Sequence, residues 1–338
     1  MVIATGSVLM QNDRMLTDPP GSPRSFAEAF HRADVLLTEG AVIMRLKSEF
    51  GVAVHPDIVP GLLYDGDPKG REALATIYRQ YLAIANSSRL PIMIMTPTRR
   101  VSRDRLHASP YRGKNVIPDS VAFLAEMRAG FPEHASNIFI GGLMGCAGDA
   151  YDPRNALSAA DALGFHRWKA GQFQAARVDY LFAGIMPAMP EALGLARAAS
   201  ETGLPYIISF MIRRTGTLLD WTTIPEAIAA IDDGADPKPL CYAVNCVHPL
   251  VLREALSPPA NRTSLVAERL KGIQANASPQ APEELDRKAE MVSEDPERLA
   301  EAMIGLRVDH GLKIFGGCCG TDERHIEALA RKLKPPPD

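Results

Sequence analysis

The chain has 338 residues, 46% of them apolar and 23% charged, with a formal net charge of -3. That is an ordinary globular composition, long enough to bury a sizeable core, and it carries no basic excess for phosphate neutralisation, which argues against a general nucleic-acid binder. No apolar run reaches the roughly 18 residues of a membrane helix, and the first residues, MVIATGSVLMQNDRMLTDPP, lack the charged start and long apolar core of a signal peptide.

A cytoplasmic protein is therefore expected. Its five cysteines, an odd number in a reducing compartment, point to metal binding or catalysis rather than a disulfide framework.

Apolar runs bounded by Gly, Pro, Asn or Asp predict eight strands in chain order. They are VLLTEG (35–40), PIMIMTP (91–97), NIFIGGLMG (137–145), DYLFAGIM (179–186), PYIISFMI (205–212), LCYAVNC (240–246), RLKGIQANAS (269–278) and LKIFGGCC (312–319). The seventh is polar for a buried strand. Segments with apolar residues at helical spacing fill the intervals, from KGREALATIYRQYLAIANSS to PERLAEAMIGLRVDHG. Several of them end in Gly, a C-cap signal. In "GTDERHIEAL" Thr321 or Asp322 is expected to cap the last helix.

Eight strand–helix alternations predict parallel strands with crossover helices, closed as a single (β/α)8 TIM barrel. The rival, an open doubly wound sheet, would show a glycine-rich phosphate turn after the first strand, but that turn reads EGAVIMRL. The whole chain, 1–338, is read as one domain. Residues 1–30 form an N-terminal extension, a long insertion follows strand seven (ANASPQAPEELDRKAEMVSEDPE), and 330–338 form a flexible tail.

Cys246 ends strand six in AVNCVHP, and Cys318 and Cys319 end strand eight in FGGCCGT. In a barrel these strand ends share the face where active sites lie. Adjacent cysteines do not readily pair with each other. Three sulfurs facing an open mouth suit zinc with one free position; equally, each is compatible with an inert, buried thiol. For Cys318 and Cys319 to reach one metal the backbone must turn, which Gly316, Gly317 and Gly320 are expected to permit. Cys146 and Cys241 are read as structural. Asn245 reads equally as a brace for the loop of Cys246 or as a plain strand-end residue, and Asn276 is expected to end strand seven at the mouth. His248 reads as a local cap more readily than a ligand, and His166 and Trp168 as parts of a packed helix face.

AVNCVHP followed by GGCCGT resembles the homocysteine S-methyltransferase family. The resemblance runs from LLTEGAVIMRL through IMTPTRR, FAGIMPAMPEA and PYIISF to GGCCGTDERHIEAL. It implies a barrel holding Zn2+ through Cys246, Cys318 and Cys319, which are also the catalytic residues. A thiol, homocysteine or a relative, would enter the fourth position as thiolate and take a methyl group from a sulfonium or ammonium donor. S-Methylmethionine or S-adenosylmethionine is expected as that donor. Betaine is not, because the chain stops just after the final helix, and no extra modules for a folate and cobalamin route are seen.

Two positions depart from the family pattern. Glu39-Gly40 stands where the family has Asp-Gly, and Gly184 stands where it has a glutamate that helps hold the amino-acid substrate. Arg99 and Arg100 lie near the mouth and suit a carboxylate or phosphate. The expected substrate-binding residues are thus Glu39, Gly40, Arg99, Asn245 and Gly184. The expected partners are a small-molecule thiol and a methyl donor, with no nucleic acid, no membrane and a homo-oligomer allowed. The same site would also serve a demethylase of methylated sulfur compounds, or a thiol-binding barrel without turnover.

Overall fold

The structure, a computed structural model, describes residues 25–279 and 293–334. Residues 335–338 of the predicted tail (330–338), 1–24 of the predicted extension and 280–292 of the predicted insertion lie outside the described residues, whereas 330–333 of the tail belong to the last helix. Eight parallel strands close into a barrel in chain order: β1 (Leu36–Thr38), β2 (Ile92–Met95), β3 (Ile138–Gly145), β4 (Tyr180–Met186), β5 (Tyr206–Phe210), β6 (Cys241–Val247), β7 (Leu270–Ala275) and β8 (Ile314–Gly317). β1 pairs with both β2 and β8, which closes the ring. The expected (β/α)8 barrel is the observed one.

Strand side chains alternate between two buried environments. Leu36, Met93, Phe139, Phe182, Ile207, Ala243 and Ile314 fill the barrel, while their strand neighbours pack outward against the helices. This double burial explains the near-continuous apolar runs in the sequence. The polar seventh strand is accounted for by Gln274, whose Nε2 donates to Thr38 Oγ1 at 3.0 Å across the buried interior. That bond satisfies a polar group that would otherwise be costly to bury.

The floor of the barrel is closed by the helix Phe26–Arg32. Ser25 caps it, and Glu28 completes a reciprocal capping box. Phe26 and Phe30 join the interior cluster, and the Phe26 ring stacks on Tyr180 with centroids 4.3 Å apart. Among the helix ends, Gly311 is a left-handed C-cap for Pro296–His310, whereas Pro68–Ser88 ends on a left-handed Arg89. Asp322, rather than Thr321, caps the last helix, Glu323–Leu333, by accepting from the backbone N–H groups of Arg324 and His325.

Candidate metal centre

All three predicted cysteines meet at the C-terminal mouth of the barrel. The sulfurs of Cys246, Cys318 and Cys319 lie within 4.8 Å of one another, and those of Cys246 and Cys319 are 3.4 Å apart. They gather beside the end of β7, where Cys318 N donates to Ala275 O and Ala277 N donates to Cys319 O.

Local backbone geometry makes this convergence. Along β6, Cys241 and Ala243 face into the barrel, so alternation alone would send Cys246 to the helix side. The ladder between β6 and β7 slips between Asn245 and Val247, and Cys246 takes a left-handed φ of 60°. A bulge of this kind re-aims a side chain. β4 carries a matching irregularity between Ala183 and Met186, with Ile185 at φ 58°. Asn245 joins the two: its Oδ1 accepts from Ile185 N at 2.8 Å and from Ser209 Oγ at 2.7 Å.

The glycines beside the cysteine pair work differently from expectation. Only Gly320 is left-handed, at φ 78°. Gly316 and Gly317 belong to β8 and are glycine because of crowding. A Cβ on Gly316 would stand 1.9 Å from Thr38 Oγ1, and one on Gly317 would stand 2.1 Å from Thr321 Oγ1. Close approach to β1 and to the start of the last helix, rather than a turn, fixes these two positions.

Two partners of Cys246 come from other loops. Tyr151 Oη lies 3.3 Å from Cys246 Sγ, and Asn276 Nδ2 lies 3.7 Å from it. Within the trio, contacts from Cys318 and then Cys319 pull the Cys246 thiol well below its ordinary range. Cys318 and Cys319 are pushed up, chiefly by Cys246. Among the three thiols, Cys246 is the one whose surroundings favour the charged form. Burial and the Cys246 charge keep Tyr151 a protonated phenol, so it donates to that sulfur.

The Tyr151 loop is anchored from below by Glu191, a fully buried carboxylate. Glu191 accepts from Ala147 N at 2.6 Å, from Leu157 N at 3.3 Å and from His166 Nε2 at 3.3 Å. Sequence reasoning found neither Tyr151 nor Glu191. The only sequence signal for Tyr151 was an aromatic in the loop CAGDAYDP just after a strand end.

The remaining predicted residues divide. Glu39 directly follows β1, 5% exposed, and both carboxylate oxygens accept from Met95 N at 3.1 and 2.9 Å. Burial pushes its carboxyl well above the usual carboxylate range, against the pull of that N–H. Gly40 allows close packing, since a Cβ there would sit 2.7 Å from Tyr81 Oη. Gly184 faces the interior with Phe182 and pairs with Gly145 of β3. Arg99 sits at the rim and its carbonyl accepts from Lys169 Nζ, whereas Arg100 pairs with Asp57 at 2.7 Å.

His248 is a cap, as expected: Nδ1 accepts from Leu250 N at 3.2 Å, and Nε2 meets Glu294 Oε2 at 2.8 Å. His166 is buried against Glu191 and Trp168 packs on the outer core. Cys146 and Cys241 stand apart from the trio; burial raises their thiols to about 11 and about 12.

The donor set suits zinc. A tetrahedral ion with Zn–S bonds of about 2.3 Å separates its sulfurs by roughly 3.8 Å, close to the spacing seen here. Three soft donors from the protein leave a fourth position open. Among the described residues this is the one group of three or more Cys, His, Asp or Glu placed to share an ion. Among them, too, no helix is long and apolar enough to cross a membrane.

Residues 27–333 match the family model described as Homocysteine S-methyltransferase. Two curated relatives are methionine synthases, from Mycobacterium leprae (31% identical over 142 residues) and Mycobacterium tuberculosis (30% over 142 residues). Each alignment covers 41% of this chain and 11% of the relative, so the matched stretch is about a tenth of those proteins' length. The metallated form of the homocysteine methyltransferase MmuM from Escherichia coli superposes with a TM-score of 0.71 at 19% identity, covering 90% of this chain and 98% of that one. Its oxidized form gives a TM-score of 0.72, also at 19% identity, over 90% and 97%. At these identities the likeness is one of fold.

Proposed function

The chain belongs to the homocysteine S-methyltransferase family, and from that premise we propose that it is a zinc-dependent S-methyltransferase, moving a methyl group from a sulfonium or ammonium donor to a small thiol. S-Methylmethionine and S-adenosylmethionine are the leading donors, and homocysteine or a related thiol is the acceptor. The observation that carries this reading is the convergence of Cys246, Cys318 and Cys319 on one point at the mouth.

Cys246, Cys318 and Cys319 would hold the ion. Zinc, when bound, lowers the pKa of an entering thiol so that it reacts as thiolate at neutral pH. The protein's own residues fix the geometry. Tyr151 and Asn276 orient the Cys246 sulfur, and the bulge at 246 keeps it turned toward β8. Asn245 locks β4 to β5 and β6 under the mouth.

The acceptor sulfur attacks the donor methyl carbon in line. The new S–CH3 bond forms as the bond from that carbon to the donor's cationic atom breaks. Its electron pair returns to the donor, leaving a neutral thioether or amine, and the acceptor's thiol proton passes to solvent. Positioning two reactants in this way supplies much of the acceleration, and no separate general base is required. A site of three thiolates works in a reducing compartment, and the cytoplasm is the assignment that fits.

The test is elemental analysis beside a methyl-transfer assay. About one zinc per chain, lost together with transfer in Cys246→Ser and Cys319→Ser, supports the reading. A well-folded, reduced parent that takes up no zinc when zinc is supplied would overturn it.

A further inference from the structure

Four cations surround the loop between β2 and the short helix Arg103–His107, and three of them are committed to holding the protein together. Arg100 Nε donates to Asp57 Oδ1 at 2.7 Å. Arg105 donates to Arg100 O at 3.0 Å and to Ala147 O at 2.6 Å, which ties this loop to the Cys146–Tyr151 loop. Lys169, 4% exposed, donates Nζ to Thr98 O at 2.6 Å and Arg99 O at 3.1 Å, fixing the Arg99 backbone from beneath. Among the described residues the Arg99 guanidinium has no hydrogen-bonding or ion-pair partner.

Its stem nonetheless packs against the end of β3. Gly145 ends β3 in the inward-facing row that runs through Phe139 and Leu143. A Cβ on Gly145 would stand 2.6 Å from Arg99 Cγ, so the Arg99 stem occupies the space that a side chain at 145 would take. The residue paired with Gly145 on β4 is Gly184. The strand ends at 145 and 184 thus contribute no side chains of their own to the mouth, and the Arg99 stem lies over the first of them.

Among the described residues, the two strand-end positions that face a substrate from β1 and β4 offer no free anion for a cationic group. Gly184 has no side chain, and Glu39 is buried with both oxygens on the Met95 N–H. An unpaired guanidinium on a packed stem suits bidentate binding of a carboxylate or similar acid.

We infer that Arg99 forms an anion-binding subsite at the mouth, and that the acceptor is a short-chain thiol acid recognised by its carboxylate, with no requirement for an α-ammonium group. This rests on the thiol-transfer reading above and narrows its substrate class. The carboxylate would lie on Arg99 along the bare glycine wall, leaving its thiol free to extend toward the three sulfurs.

Calorimetric titration of the zinc-loaded protein with three thiols tests this: homocysteine, 4-mercaptobutanoate (which lacks the amino group) and 3-mercaptopropylamine (which lacks the carboxylate). The expected order places 4-mercaptobutanoate at least level with homocysteine, and 3-mercaptopropylamine roughly tenfold or more weaker. Arg99→Gln should weaken the two carboxylates by roughly tenfold and leave the amine unchanged, and Arg99→Lys should restore part of the loss. An arginine side-chain NMR signal that shifts with butanoate in the metal-free protein, and is absent in Arg99→Gln, would support the subsite without the ion.

Equal binding of all three thiols, or an Arg99→Gln loss shared by all three, would overturn the subsite while leaving the transfer reading intact. Failure of every thiol to bind the zinc-loaded protein would overturn both.

Discussion

Tyr151 and Cys246 are 95 residues apart in the chain, yet the phenol oxygen of one lies 3.3 Å from the sulfur of the other. A ligand held by a hydrogen bond from outside the metal shell is better oriented, and loss of such a partner costs roughly 10–100-fold in metal affinity. Tyr151→Phe should therefore bind zinc more weakly by about that factor in a chelator competition, with an unchanged circular dichroism spectrum. Unaltered zinc affinity would reduce the contact to a packing accident.

The floor helix gives a stability prediction. Phe26 is 2% exposed and stacked on Tyr180. Phe26→Ala should lose about 3–5 kcal/mol in denaturant unfolding, because the ring fills the closed end of a rigid barrel. A loss under about 1 kcal/mol would mean that the helix is only loosely docked.

Gly184 offers a gain of function. A Cβ there meets Leu143 Cδ1 at 3.2 Å and Asn245 Nδ2 at 3.6 Å, tight but bordered by side chains rather than backbone. Gly184→Glu would place a carboxylate on the bare wall. It should raise the preference for homocysteine over 4-mercaptobutanoate by roughly tenfold, the worth of one charge-assisted hydrogen bond. An unchanged ratio in calorimetry would show that the amino group of the thiol points elsewhere.

His134 predicts an acid-sensitive step in stability. It is 5% exposed, and Nε2 donates to Leu90 O at 3.0 Å. Burial lowers its pKa, against the opposing pull of that carbonyl. The unfolded chain then takes up a proton at higher pH than the folded one. The stability this group contributes is full above the unfolded pKa near 6.5, and it is lost as pH falls through the lower folded value. His134→Gln should flatten unfolding free energy against pH between about 7 and 5. An identical slope in parent and variant would acquit this residue.

The sequence reveals more of the barrel than of its mouth. The strand–helix rhythm is legible because each strand is buried on both faces, and even the polar seventh strand is found by its position in the rhythm. Cys246, Cys318 and Cys319 are legible because thiols at strand ends are chemically conspicuous. The left-handed backbone at Ile185 and Cys246 is not, since no glycine or asparagine occupies either position to announce it. Gly316 and Gly317 invite a turn reading, but crowding decides their size: Thr38, on the far side of the chain, crowds Gly316, and Thr321 crowds Gly317. Tyr151 and the Glu191–His166 pair act across loops, and contacts between loops leave no periodic trace.

The left-handed cysteine also sets the protein's own stability against its chemistry. A non-glycine residue in that conformation costs roughly 1–2 kcal/mol, and glycine would remove most of that cost while deleting a sulfur. A library of this chain selected only for heat resistance should therefore accumulate glycine at 246, and variants recovered that way should fold better and hold no metal. Thermostability campaigns on this scaffold would need a thiol-dependent screen running alongside, or they would erode the centre at the position where the backbone already resists it.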